Sequence, residues 1–134
     1  MIQEKRSWIQ VRREVDTVKA IMETKRMACS LGFDEYHCQK VSTAVSELVR
    51  NIIKYADSGE AIIAPITKNR KRGIEITIQD RGPGIADLDR ALEDDFSSGG
   101  TLGMGLPGVK RLMDEFEISS EVDLGTRIVI RQWL

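Results

Sequence analysis

Apolar and polar positions alternate along this chain in two distinct periods. From Glu14 to Leu31 the apolar residues Val15, Val18, Ile21, Met22, Ala28 and Cys29 recur at helical spacing, and Gly32 offers a stop. A second helix is predicted from about Asp34, a suitable N-cap, to Ala56, with the stripe Val41, Ala44, Val45, Leu48, Ile52 and Tyr55. The segment 5–11 is short and β-compatible. Strand patterns follow at 60–67 and at 73–80, where Ile74, Ile76 and Ile78 alternate with polar residues. The charged stretch 68–73 reads as the loop joining them. A short helix near Ala86–Leu92, a glycine-rich loop and a helix from about Leu106 to Glu115 come next. Two further strand patterns, 116–122 and 126–134, flank a turn at Asp123-Leu124-Gly125. Helices and strands are grouped rather than strictly alternating. That order predicts an α+β fold, a mixed or antiparallel sheet with its helices on one face, and one domain over residues 1–134.

Composition narrows the function classes. The formal net charge of -1 over 134 residues argues against nucleic acid as a partner, since a phosphate backbone calls for a basic face. It leaves room for a small anionic ligand, which needs only a local positive field. No apolar run is long enough to span a membrane and no signal peptide is apparent, so a cytoplasmic protein without a membrane partner is expected. Cys29 and Cys38 stand in no metal-ligand pattern and read as buried or half-buried thiols. Trp8, Met22 and Trp133 read as core or interface residues, with the core expected.

Candidate chemistry lies in three places. Eight of the eleven glycines follow Asp80, and five fall within Gly99–Gly108. Glycines allow close backbone approach and positive φ, which suits a loop that wraps a phosphate with its amides. This loop runs straight into a helix, whose N-terminus is an anion site. The Walker A pattern is absent. Glu47 and Asn51 are four residues apart on the second helix, side by side at the edge of its apolar stripe. A carboxylate and an amide oxygen there suit Mg²⁺, and the carboxylate could take a proton from an attacking hydroxyl. The other reading is a solvated helix edge. Asp80 ends an alternating strand and opens 80-DRGPGI-85, where Gly82 and Gly84 leave room for a flat base and the carboxylate can accept from an exocyclic amine. A plain turn is the alternative.

Taken together, these segments resemble the GHKL ATPase superfamily, which builds its nucleotide site from an N box, a G1 box and a G2 box in that order. The N box matches 44-AVSELVRNIIKYA-56, the G1 box 80-DRGPGI-85 and the G2 box 103-GMGLPGVKRL-112; 125-GT-126 matches the position of a threonine near the adenine. The resemblance implies a two-layer Bergerat sandwich that binds ATP with Mg²⁺. It implies Glu47 as general base, Asn51 as the holder of Mg²⁺ through the phosphates, and Asp80 as the reader of adenine, supported by Gly82, Gly84 and Thr126. Gly103, Gly105, Leu106 and Gly108 would hold phosphates, with Arg50 and Lys110 as further phosphate contacts.

The chain is short for a sensor histidine kinase and resembles the compact anti-sigma-type serine kinases. Residues 93–116 are most similar to the switch kinases of the stressosome. That implies a serine/threonine protein kinase acting on STAS-domain proteins and switching to a downstream output protein such as a phosphatase. One departure stands out: no Lys or Arg lies between Arg90 and Lys110, where some anti-sigma kinases carry a lid arginine. Ser97-Ser98 and Gly99-Gly100 suggest a lid that closes over nucleotide. The alternative is a nucleotide-gated, anti-sigma-like binding module with little or no catalysis. A third reading is a fragment acting on histidine.

Overall fold

The computed structural model describes residues 5–93 and 105–134. Its elements run β1 (Ser7–Val11), α1 (Glu14–Leu31), α2 (Glu35–Tyr55), β2 (Gly59–Lys68), β3 (Lys71–Asp80), α3 (Leu88–Ala91), α4 (Gly105–Leu112), β4 (Glu115–Glu121) and β5 (Gly125–Trp133). The strands form one sheet in the order β1-β2-β3-β5-β4, and every pairing among them is antiparallel. The antiparallel alternative is therefore the one realised: hairpins join β2 to β3 and β4 to β5, α1 and α2 return β1 to β2, and the segment carrying α3 and α4 crosses from β3 past β5 to β4, so that β5 fits antiparallel between them.

The inner face of the sheet carries the core. Ala61 and Ile63 of β2, Ile74, Ile76 and Ile78 of β3, and Ile128 and Ile130 of β5 are buried with Val41, Val45, Leu48, Val49 and Ile52 of α2. Val109 brings α4 into the same cluster. Asp80 follows Ile74, Ile76 and Ile78 in the same two-residue alternation. The strand period thus delivers its carboxylate to the helix side of the sheet, at the end where the apolar rows stop. On the outer face Arg131 of β5 ties three strands together, at 2.8 Å from Glu75, 2.6 Å from Glu117 and 3.3 Å from Glu115.

Several expectations need correction. The α1 stripe Val15, Val18 and Met22 is exposed, at 50%, 53% and 65%. The buried face is instead Thr17, Ala20, Thr24, Met27, Ala28 and Leu31, a helical stripe disguised by two threonines. Thr24 is accommodated because its hydroxyl donates to the Ala20 carbonyl at 2.7 Å. Cys29 is exposed, while Cys38 is buried. Tyr55, in the last turn of α2, is exposed beneath the Lys54 ammonium rather than in the stripe. Trp8 and Met22 are both exposed, and Trp133 is half-buried. The β2–β3 loop contracts to Asn69-Arg70, both at positive φ (52° and 68°), as a two-residue hairpin turn that matches strand twist requires. The strands therefore extend to Lys68 and Lys71. Helix α4 stops at Leu112, because Asp114 is recruited to β5: its amide donates to Gln132 and its carboxylate accepts from the Trp133 amide.

Candidate functional site

Three segments meet at the end of the sheet where α2 finishes. The first contact is between α2 and α4. Glu47 Oε1 accepts the Gly105 N–H at 3.1 Å. Gly105 is the first residue of α4 and adopts φ 69°. A carboxylate thus rests on the unpaired amides that open α4, where anions are favoured. The second contact is between the end of α2 and the loop after β3. A Cβ on Gly82 would stand 2.4 Å from the Ala56 Cβ, so only glycine lets this loop lie against the helix end. The third is between β3 and β5. Asp80 Oδ1 accepts the Gly82 N–H at 2.8 Å and the Thr126 N–H at 3.3 Å.

Asn51 lies one turn from Glu47 and little more than one from Ala56, hence between the first two contacts. Its side chain is half-buried and, among the described residues, makes no hydrogen bond. Both amide contacts to Asp80 fall on Oδ1, and among the described residues Oδ2 accepts none. The backbone therefore fixes the carboxylate and leaves one oxygen for a ligand. Glu47, Asp80, Gly82, Gly84, Leu106 and Thr126 are likewise half-buried, and Gly108 is buried within α4. Arg50 and Lys110 are exposed. Gly103 and the lid residues Ser97 to Gly100 lie outside the described residues.

The family comparison matches residues 11–132 to the family described as the histidine kinase-like ATPase domain. The chain belongs to this family. Two kinds of relative accompany that match. The chain is 43% identical over 128 residues, 96% of each chain, to the serine/threonine-protein kinase RsbT of Bacillus subtilis. It is 36% identical over 100 residues, 69% of each chain, to an anti-sigma F factor of Clostridium perfringens. A further anti-sigma F factor, from Clostridium kluyveri, is 32% identical over 96 residues.

As a histidine kinase-like ATPase domain, the chain holds its boxes together with a residue that sequence reasoning missed. Ser120 Oγ accepts the Ile85 N–H at 2.7 Å, lies 2.7 Å from Thr126 Oγ1, and donates to the Gly125 carbonyl at 3.1 Å. It thereby joins the loop after β3 to β4 and β5. The Asp123 N–H donates to the Pro83 carbonyl at 2.8 Å and closes the same joint. Nothing in the local sequence signals this, since a serine in an exposed-looking strand carries no motif. A groove of about 660 Å³ on the outer sheet face includes Trp8, Arg12, Glu60 and Arg127. It shares Asp80 and Thr126 with the third contact but reaches neither Glu47 nor Asn51.

Proposed function

We propose that this chain is a Mg²⁺- and ATP-dependent serine/threonine protein kinase that phosphorylates STAS-domain partners of a stressosome and, once they are modified, switches to a downstream output protein in the cytoplasm. The near full-length likeness to a protein named as a serine/threonine kinase supports the enzyme class. The site reading is supported by the bonds of Glu47 to Gly105 and of Asp80 to Gly82 and Thr126, with Asn51 on α2 between Glu47 and the helix end that Gly82 approaches.

The residues fit the cofactors. Adenine would meet the free oxygen of Asp80, an acceptor suited to an exocyclic amine. Asn51 offers a hard oxygen from a half-buried amide with no other bond among the described residues. Among those residues no three His, Cys, Asp or Glu side chains converge on one point. A bound Mg²⁺ would therefore be completed by phosphate oxygens and water, its usual arrangement in nucleotide sites, and would neutralise charge on the transferring phosphoryl. The amides opening α4, together with Leu106 and Gly108, would face the phosphates, with Arg50 and Lys110 at the exposed margin. In this reading Gly103 joins that cradle, and Glu47 leaves Gly105 to accept the proton of the substrate hydroxyl.

The test is incubation of the chain with Mg·ATP and a purified STAS-domain protein. Acid-stable phosphate on a serine or threonine of the partner is expected. Tight binding of ATP and partner with no transfer over hours would instead establish a nucleotide-gated binding module, and acid-labile phosphate would point to histidine.

A further inference from the structure

The corner between α1 and α2 holds the chain's only two cysteines, and its backbone is fixed from both sides. Gly32, at φ 104°, donates its N–H to the Cys29 carbonyl, and Phe33 donates to the Ala28 carbonyl, both at 3.1 Å. This reciprocal pair closes the last turn of α1. Asp34 then caps α2, its carboxylate accepting the His37 N–H at 2.8 Å. Cys29 is exposed near the end of α1, and Cys38 is buried near the start of α2. Their Sγ atoms stand 3.3 Å apart. Bond formation requires about 2.05 Å, so the sulfurs need to approach by little more than 1 Å while the capped corner stays in place.

We propose that Cys29 and Cys38 form an oxidisable dithiol site that reacts with a hydroperoxide and closes to an intramolecular disulfide. Exposure makes Cys29 the attacking thiol. Its sulfur bonds to one peroxide oxygen, the O–O bond breaks, and water leaves, giving a sulfenic acid at Cys29. Cys38 then attacks that sulfur, the S–S bond forms, the S–O bond breaks, and a second water carries away the hydroxyl and the Cys38 proton. Two thiols are oxidised and one hydrogen peroxide is reduced to two waters. Burial, the bond to Cys29 and the nearby acids Asp34 and Glu35 push the Cys38 thiol up to about 11, which keeps it protonated and leaves the first attack to Cys29; its place 3.3 Å from the Cys29 sulfur is what gives it the second step. Cys38 also lies against the Phe33 carbonyl, at 3.6 Å, which keeps it turned toward the corner. The pair is about two and a half helical turns from Glu47 and distinct from the nucleotide residues.

The experiment treats the whole chain with a small excess of hydrogen peroxide at neutral pH. Intact mass and thiol titration under denaturing conditions are the readouts. The expected result is loss of two hydrogens from a monomeric chain, both thiols disappearing together and returning with dithiothreitol. Cys38→Ser should leave a sulfenic acid on Cys29 that dimedone captures, and Cys29→Ser should slow loss of the remaining thiol at least tenfold. Over-oxidation of Cys29 with the Cys38 thiol intact would overturn the proposal. So would a disulfide between two copies, or two thiols inert to peroxide. The wild-type readout decides the matter even where a serine variant folds poorly.

Discussion

At Asp80 a single oxygen receives two backbone amides, those of Gly82 and Thr126. That arrangement gives the substitution Asp80→Asn a specific meaning. The amide oxygen can still accept both N–H groups, so the fold should survive. The NH₂ group would then face the position where adenine's own amine is expected, donor against donor. ATP affinity is expected to fall roughly 10- to 100-fold, the scale of a hydrogen bond to a charged group, with the melting temperature nearly unchanged; calorimetry and a thermal melt check both. Gly125 predicts the opposite pattern. It adopts φ 124°, and a Cβ would stand 2.1 Å from the Asp80 carbonyl oxygen. Gly125→Ala should cost about 2 kcal/mol or more in denaturant unfolding before any ligand is added. Asp80 and the glycines were legible in the sequence because strand alternation and glycine clustering are local patterns. Ser120 was not, because its bonds to Ile85 and Gly125 exist only once β4 and β5 pair.

At the scale of elements, α1 and α2 differ in how openly they announce themselves. Helix α2 shows its buried face directly, through Val41, Val45, Leu48 and Ile52. Leu48→Ala in that face should cost about 2–5 kcal/mol, read from a urea midpoint. Helix α1 has the expected bounds but not the expected face. Its valines and Met22 point outward, while Thr17 and Thr24 point in, because a helix packed against both α2 and the sheet favours small side chains there. Its start depends on Asp16, whose Oδ2 accepts the Arg12 and Arg13 N–H groups at 2.9 and 3.0 Å. Those two backbone bonds hold the Asp16 carboxyl below its ordinary value of 3.8. A depressed carboxyl contributes its full stability above the ordinary value and loses it as pH falls through the lower, folded one. Stability should therefore decline more steeply in the wild type than in Asp16→Asn as pH falls through and below 3.8. Equal slopes would remove Asp16 from the account.

Over the whole molecule, the sheet order β1-β2-β3-β5-β4 brings the end of α2, the loop after β3 and the start of α4 to one end of the sheet. The sequence order of the boxes made their coexistence legible. Their meeting was not, because it depends on the Ala56–Gly82 approach and on Glu47 reaching Gly105 across 58 residues of chain. A ligand spanning these parts would bind only the folded chain. Saturating Mg·ATP should accordingly raise the unfolding free energy, by about 2.7 kcal/mol at a hundred times the dissociation constant, and Asn51→Ala should lose most of that gain. In the proposed function, nucleotide binding and phosphoryl transfer rest on different residues at this end of the sheet. The decisive experiment measures single-turnover transfer and ATP affinity together in wild type and Glu47→Gln with a STAS-domain acceptor. Transfer slowed by about 10²- to 10⁴-fold with ATP affinity kept or improved is expected if Glu47 is the base. Transfer at the wild-type rate in Glu47→Gln would remove Glu47 from that role.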